Sequence, residues 1–154
     1  MNRRIQKRFK GAIRNFVIRN LPIAILFSAS AFSQDVPVLK FSELEKYFHK
    51  DNDTTYVINF WATWCSPCVE ELPYFDRLQN RAKADKLKIM LVSLDFKSQW
   101  ASKVIPFIRK NNLQSDVLLL DETDANSYID KVSKDWSGAI PATLIVNSSK
   151  NIRQ

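Results

Sequence analysis

The sequence predicts an α/β domain with a central, mainly parallel sheet flanked by helices. Three observations carry this. Short β-branched and aromatic runs alternate with segments of helical periodicity along the chain. The runs are apolar on both faces, as strands are when helices cover both sides of a sheet. The chain has 154 residues, 45% hydrophobic and 25% charged, enough for one packed domain.

The first 33 positions stand apart. They carry seven basic residues and no acid, whereas the chain from Gln34 onward is balanced at 16 of each sign. The formal net charge of +7 therefore describes the N-terminal segment and is no argument for nucleic-acid binding by the folded body. Leu21 to Phe32 is an uncharged, largely apolar run, and Ala29, Ala31 and Ser33 supply small residues after it. That order matches a secretory signal peptide, residues 1–33, with cleavage expected before Gln34 and Ala29-Ser30-Ala31 as a second candidate site. An uncleaved signal anchor is the alternative, although the run is shorter than the about 20 residues that span a bilayer. Either way residues 34–154 are expected outside the cytoplasm, in the periplasm or an equivalent space, where disulfide chemistry is permitted.

Ser42 to Glu45 has the S-x-x-E capping pattern, and Phe41, Leu44 and Phe48 recur near helical spacing, so a short helix is expected there. Thr55 to Trp61 (TYVINFW) reads as a buried strand. Cys65 to about Ala84 reads as an amphipathic helix with Val69, Leu72, Phe75 and Leu78 on one stripe and Pro73 as a kink. Leu87 to Leu94 is a second strand, Gln99 to Lys110 a helix weakened at Pro106, and Val117 to Leu120 a short apolar run. Thr123 to Val132 reads as helical and Thr143 to Val146 as a third strand. The turn Asn147 to Lys150 then leads to Ile152, where a further strand could begin.

Two glycines, Gly11 and Gly138, exclude Gly-rich phosphate loops and dinucleotide fingerprints. Two cysteines and one histidine, His49, are too few for a zinc cage, and His49 reads as a surface residue. The cysteines form the motif Trp64-Cys65-Ser66-Pro67-Cys68 between a strand and a helix. A bridge across so small a loop restrains little of the unfolded chain, so a structural staple explains the pair poorly. Redox exchange explains it better. A thiol at a helix N-terminus faces free N–H groups and the positive dipole end, and both favour thiolate. Cys65 is then the attacking residue and Cys68, one turn inward, the resolving one. Pro67 suits the first turn of the helix.

Phe60-Trp61-Ala62-Thr63-Trp64-Cys65-Ser66-Pro67-Cys68-Val69-Glu70-Glu71-Leu72-Pro73 resembles the extracytoplasmic thioredoxin-like proteins of the TlpA/ResA group. Gly138-Ala139-Ile140-Pro141-Ala142-Thr143-Leu144-Ile145-Val146 resembles the loop carrying that family's cis-proline before a core strand. The resemblance runs from about Val38 to Val146. It implies a thioredoxin-like fold and thiol–disulfide exchange, with Cys65 as nucleophile and Cys68 as resolving thiol. Pro141 would be cis and pack on the disulfide, leaving the Ile140 backbone to pair with an extended substrate. An ordinary trans turn proline is the alternative. Trp64, Ser66, Pro67, Ile140 and Pro141 would line the substrate face, although Trp64 could equally be part of the core. Glu71, three residues after Cys68, would lie on the same helix face and shuttle its proton. Glu70 would face solvent, and both glutamates could instead be solvated residues of the first helical turns.

The family pattern continues past this strand with another antiparallel strand and a closing helix. The sequence stops at Gln154, so these are expected to be missing and the domain to be truncated. The reading is a thiol–disulfide oxidoreductase reducing protein disulfides, for example in cytochrome c maturation. It would need no cofactor beyond the Cys65–Cys68 disulfide and no metal or nucleic acid. A membrane thiol donor would re-reduce it, and membrane contact would come only through an uncleaved N-terminal segment. Alternatives are a net oxidant, a copper-handling thioredoxin-like module and a non-catalytic interaction domain.

Overall fold

The computed structural model describes residues 36–82 and 85–154. The chain divides into two units, Met1–Ser33 and Gln34–Gln154. The export-signal reading of residues 1–33 lies outside the described residues.

Strand β1 (Val38–Leu39) leads to helix α1 (Phe41–Leu44), which a 3-10 turn extends over Glu45–Tyr47. Then come β2 (Thr55–Trp61), α2 (Ser66–Arg81), β3 (Leu87–Ser93), α3 (Ile105–Lys110) and β4 (Asp116–Leu120). The chain continues with α4 (Ile129–Val132), β5 (Ala142–Asn147) and β6 (Ile152–Arg153). The strands form one mixed sheet in the order β1-β4-β3-β2-β5-β6. Pairs β1/β4, β4/β3 and β3/β2 are parallel, while β2/β5 and β5/β6 are antiparallel.

Period-two alternation divides the core between the two faces of the sheet. Tyr56, Ile58 and Phe60 of β2 join Met90, Val92, Leu118 and Leu120 against Phe41, Leu44 and Phe48. Val57 and Trp61 join Ile89, Leu91 and Val117 against Cys68 and Leu72 of α2 and Val104 and Ile108 near α3. Both faces are covered, which is why these strands read as unbroken apolar runs. Full burial of each Leu or Ile contributes on the order of 2 kcal/mol.

Several expectations change in detail. The first helix starts earlier than the S-x-x-E pattern implies: the Lys40 backbone N–H donates to Glu43 Oε2 at 2.9 Å, so Glu43 caps the helix. The inward stripe of α2 is rotated. Cys68 and Leu72 are buried, Val69 and Phe75 are half-buried, and Leu78 is exposed. Gln79 takes the next inward position and accepts from the Ile89 N–H at 2.9 Å. The helix runs through Pro73 without interruption.

The segment expected as one helix from Gln99 to Lys110 is composite. A 3-10 turn (Lys97–Gln99) and a five-residue π-helical stretch (Trp100–Val104) precede α3. Pro106 has no N–H to give the preceding turn, and wide turns of this kind accommodate such a break. The expected Thr123–Val132 helix is likewise a 3-10 turn (Ala125–Ser127) followed by α4. At the C-terminus the antiparallel strand expected to be missing does form, because Ile152 and Arg153 pair with the end of β5. The β6 residue Ile152 pairs with Asn147, and Gln154 exchanges backbone bonds with Ile145 at 2.8 and 3.0 Å.

Candidate active site

The two cysteines lie at the carboxyl end of β2. This strand has β3 parallel on one side and β5 antiparallel on the other. Crevices at the carboxyl ends of sheet strands are where α/β folds present reactive groups. Past Trp61 the chain turns sharply, with the Cys65 N–H donating to the Ala62 carbonyl at 3.1 Å. Cys65 is the N-cap of α2 in extended conformation, and the Cys68 N–H donates to its Sγ at 3.3 Å. Pro67 occupies the first turn, where its missing N–H costs nothing. The helix end thus aims a backbone donor and its positive dipole end at the Cys65 sulfur, as anions and thiolates require.

Cys65 and Cys68 are joined by a disulfide. Cys65 keeps 6% of its surface exposed and Cys68 none, which makes Cys65 the outer sulfur. The Ile140 carbonyl lies 3.8 Å from Cys65 Sγ, and the Ile140–Pro141 bond is cis. The loop carrying that bond is held from below: Trp136 Nε1 donates to the Ala139 carbonyl at 2.7 Å, and the Trp136 ring packs on Phe60 with centroids 4.8 Å apart. Gly138 has φ +85°, a conformation that L side chains rarely adopt. The cis-proline loop therefore faces the outer sulfur across a backbone carbonyl.

Trp64 is 60% exposed and belongs to the surface, not the core. Ser66, Pro67 and Pro141 are also exposed, Ile140 is half-buried, and His49 is exposed. Glu71 is half-buried and Glu70 exposed. Glu71 Oε1 accepts from Asn59 Nδ2 at 2.7 Å, and the same amide nitrogen lies 3.1 Å from Thr143 Oγ1. Asn59 is completely buried in β2. It ties the active-site helix to the strand that follows the cis-proline.

Sequence reasoning missed three residues at this end of the sheet. Asn59 was readable as a lone polar group in a buried strand, which must find partners. Asp95, just past β3, is buried and bonded to Thr63. Phe96, beside it, is 72% exposed, and nothing in its local pattern separates it from a core phenylalanine. Among the described residues no group of three or more His, Cys, Asp or Glu side chains is placed to hold a metal ion. Among them, too, no helix is long and apolar enough to cross a membrane.

The AhpC/TSA family model matches residues 28–154. The chain belongs to the AhpC/TSA family. Its relatives place it among the thioredoxin-like proteins of the TlpA/ResA type. Sporulation thiol-disulfide oxidoreductase A of Bacillus subtilis is 33% identical over 63 residues, covering 41% of this chain and 38% of the relative. The chain thus matches less than half of that protein's length. Thiol-disulfide oxidoreductase ResA of Geobacillus kaustophilus is 24% identical over 132 residues, covering 82% of this chain and 70% of the relative. The crystal structure of StoA from Bacillus subtilis superposes with a TM-score of 0.51 at 25% identity, covering 68% of this chain and 73% of that one. The architecture of this AhpC/TSA-family domain is accordingly thioredoxin-like.

Proposed function

We propose that this protein is a thiol–disulfide oxidoreductase acting on disulfides of other proteins. The observation that carries the reading is the Cys65–Cys68 disulfide at the head of a 16-residue helix, with Cys65 keeping a small exposed edge and Cys68 none. In the reduced protein the Cys65 thiolate attacks one sulfur of a substrate disulfide and expels the other as a thiolate, leaving a mixed disulfide. Cys68, deprotonated, then attacks Cys65 Sγ, and the substrate leaves as a dithiol after taking up protons. Two electrons pass to the substrate and the Cys65–Cys68 disulfide is restored. Glu71, one turn beyond Cys68, takes up the proton that Cys68 loses. Trp64, Ser66, Pro67 and the backbone of Ile140 before Pro141 meet the substrate segment around its cysteine. The chemistry needs no cofactor beyond the cysteine pair.

The net direction is reduction outside the cytoplasm, of the kind cytochrome c maturation requires, with a membrane thiol donor restoring the dithiol. The basic and apolar composition of residues 1–33 supports the location. The test is insulin reduction followed by turbidity, with wild type active and Cys65→Ser inactive. Activity unchanged by that substitution rejects the reading. Equilibration with glutathione fixes the direction: a potential far above the glutathione poise makes the protein an oxidant.

A further inference from the structure

We propose that Asp95 is a positioning residue for this exchange, a latch that ties the cysteine-bearing loop to the end of β3 and so fixes where the Cys65 sulfur points. The proposal rests on the exchange reading above. Asp95 is 2% exposed. Its Oδ2 accepts from the Thr63 N–H at 2.9 Å and from Ser93 Oγ at 2.9 Å, and its Oδ1 accepts from Thr63 Oγ1 at 2.6 Å. The Asp95 N–H donates back to Ser93 Oγ at 3.2 Å. Beside these, the Leu94 N–H donates to the Trp61 carbonyl at 2.8 Å, so the two loops leave the sheet bonded together.

A buried carboxylate is costly unless donors fill its lone pairs. Here Thr63 supplies two of the three donors. Thr63 lies inside the turn closed by Cys65 N–H and the Ala62 carbonyl, two positions before the reacting sulfur. Both of its donors, the backbone N–H and the hydroxyl, go to one side chain from the loop after β3. This fastening holds the turn in one orientation, and with it the Cys65 sulfur at the helix end. Proximity catalysis depends on such fastening, because an ångström of misplacement can cost about 100-fold in rate. Asp95 itself has no part in the sulfur chemistry.

The experiment compares Asp95→Ala, Asp95→Asn and Thr63→Val in the full chain. Readouts are kcat and KM for insulin reduction, and the alkylation rate of reduced Cys65 across about pH 5 to 9. A core trim away from the site, Phe48→Leu, matches for lost stability. Asp95→Ala is expected to lower kcat by about 10- to 100-fold with KM little changed. It should also alter the alkylation profile. Asp95→Asn keeps an acceptor for the Thr63 N–H and a polar group for its hydroxyl, and should restore most of the rate. Thr63→Val, losing one bond, should fall by about three- to tenfold. A folded Asp95→Ala with wild-type kcat and alkylation overturns the proposal. So does an Asp95→Asn as slow as Asp95→Ala, because charge and not placement is then the role. If Asp95→Ala does not fold, Thr63→Val decides: kinetics equal to those of a Phe48→Leu variant of the same melting temperature overturn the latch. A wild type inactive on insulin defeats the exchange reading instead, and the alkylation arm still tests the latch.

Discussion

Asn59 Nδ2 and Glu71 Oε1 meet at 2.7 Å, joining the centre of the sheet to the helix that begins at the two cysteines. The bond fixes a carboxylate on the α2 side of β2, one helical turn past Cys68.

Glu71→Gln keeps an oxygen for Asn59 and removes the ionisable group. Thermal stability should change little, while disulfide exchange at neutral pH should slow by about tenfold or more. Single-turnover kinetics resolve this, because the loss should fall on the step in which Cys68 releases substrate. An unchanged release step removes Glu71 from the proton path.

Leu72 is buried one turn from Cys68, against Trp61 and Leu91. Leu72→Ala should cost about 2–5 kcal/mol in urea unfolding, from lost burial and the cavity left behind.

Gly138→Ala places a Cβ 2.6 Å from Ile129 Cδ1 and forces a side chain onto a backbone at φ +85°. The isoleucine tip can swing away, but the backbone cost of roughly 1–2 kcal/mol stays. Chemical denaturation should show that loss. Exchange should slow as well, because the loop opposite Cys65 begins here.

Asp121 binds Lys97 Nζ at 2.9 Å and Lys40 Nζ at 3.2 Å. The hydrogen bond from Lys97, with Lys40 adding to it, holds the Asp121 carboxyl below its ordinary value of 3.8. The unfolded chain therefore binds this proton more readily than the folded one. The stabilisation is present above about pH 3.8 and disappears as acid takes the pH down through the lowered folded value. Asp121→Asn should flatten the stability profile in that acid range, and added salt should imitate the substitution because the pair is exposed. A profile equally steep in the variant assigns the acid sensitivity elsewhere.

The parts of this domain that follow from local pattern were legible in the sequence. Strand β2 runs over the seven residues its apolar pattern marks, and the CxxC motif opens the next helix. What local pattern cannot see is how elements meet. The rotation of α2 is set by the inward Cys68 and by Gln79 bonding to β3, so the apparent stripe through Leu78 misleads. Strand β1 has two residues and exists through its pairing with β4, about 80 positions away. Asp95 reaches Thr63 across 32 positions. Such a contact leaves no trace in spacing or periodicity.

If the chain exchanges disulfides as proposed, the unequal exposure of the two cysteines sets the order of events for a client. In the exchange we propose, the client's sulfur bonds to residue 65, which keeps a small exposed edge, and the adduct is cleared from inside the protein by residue 68, which keeps none. Changing Cys68 to serine removes the thiol to which that proposal gives the task. Clients would then stay tethered through a single bond that reductant severs, and the protein becomes bait for naming whatever it serves.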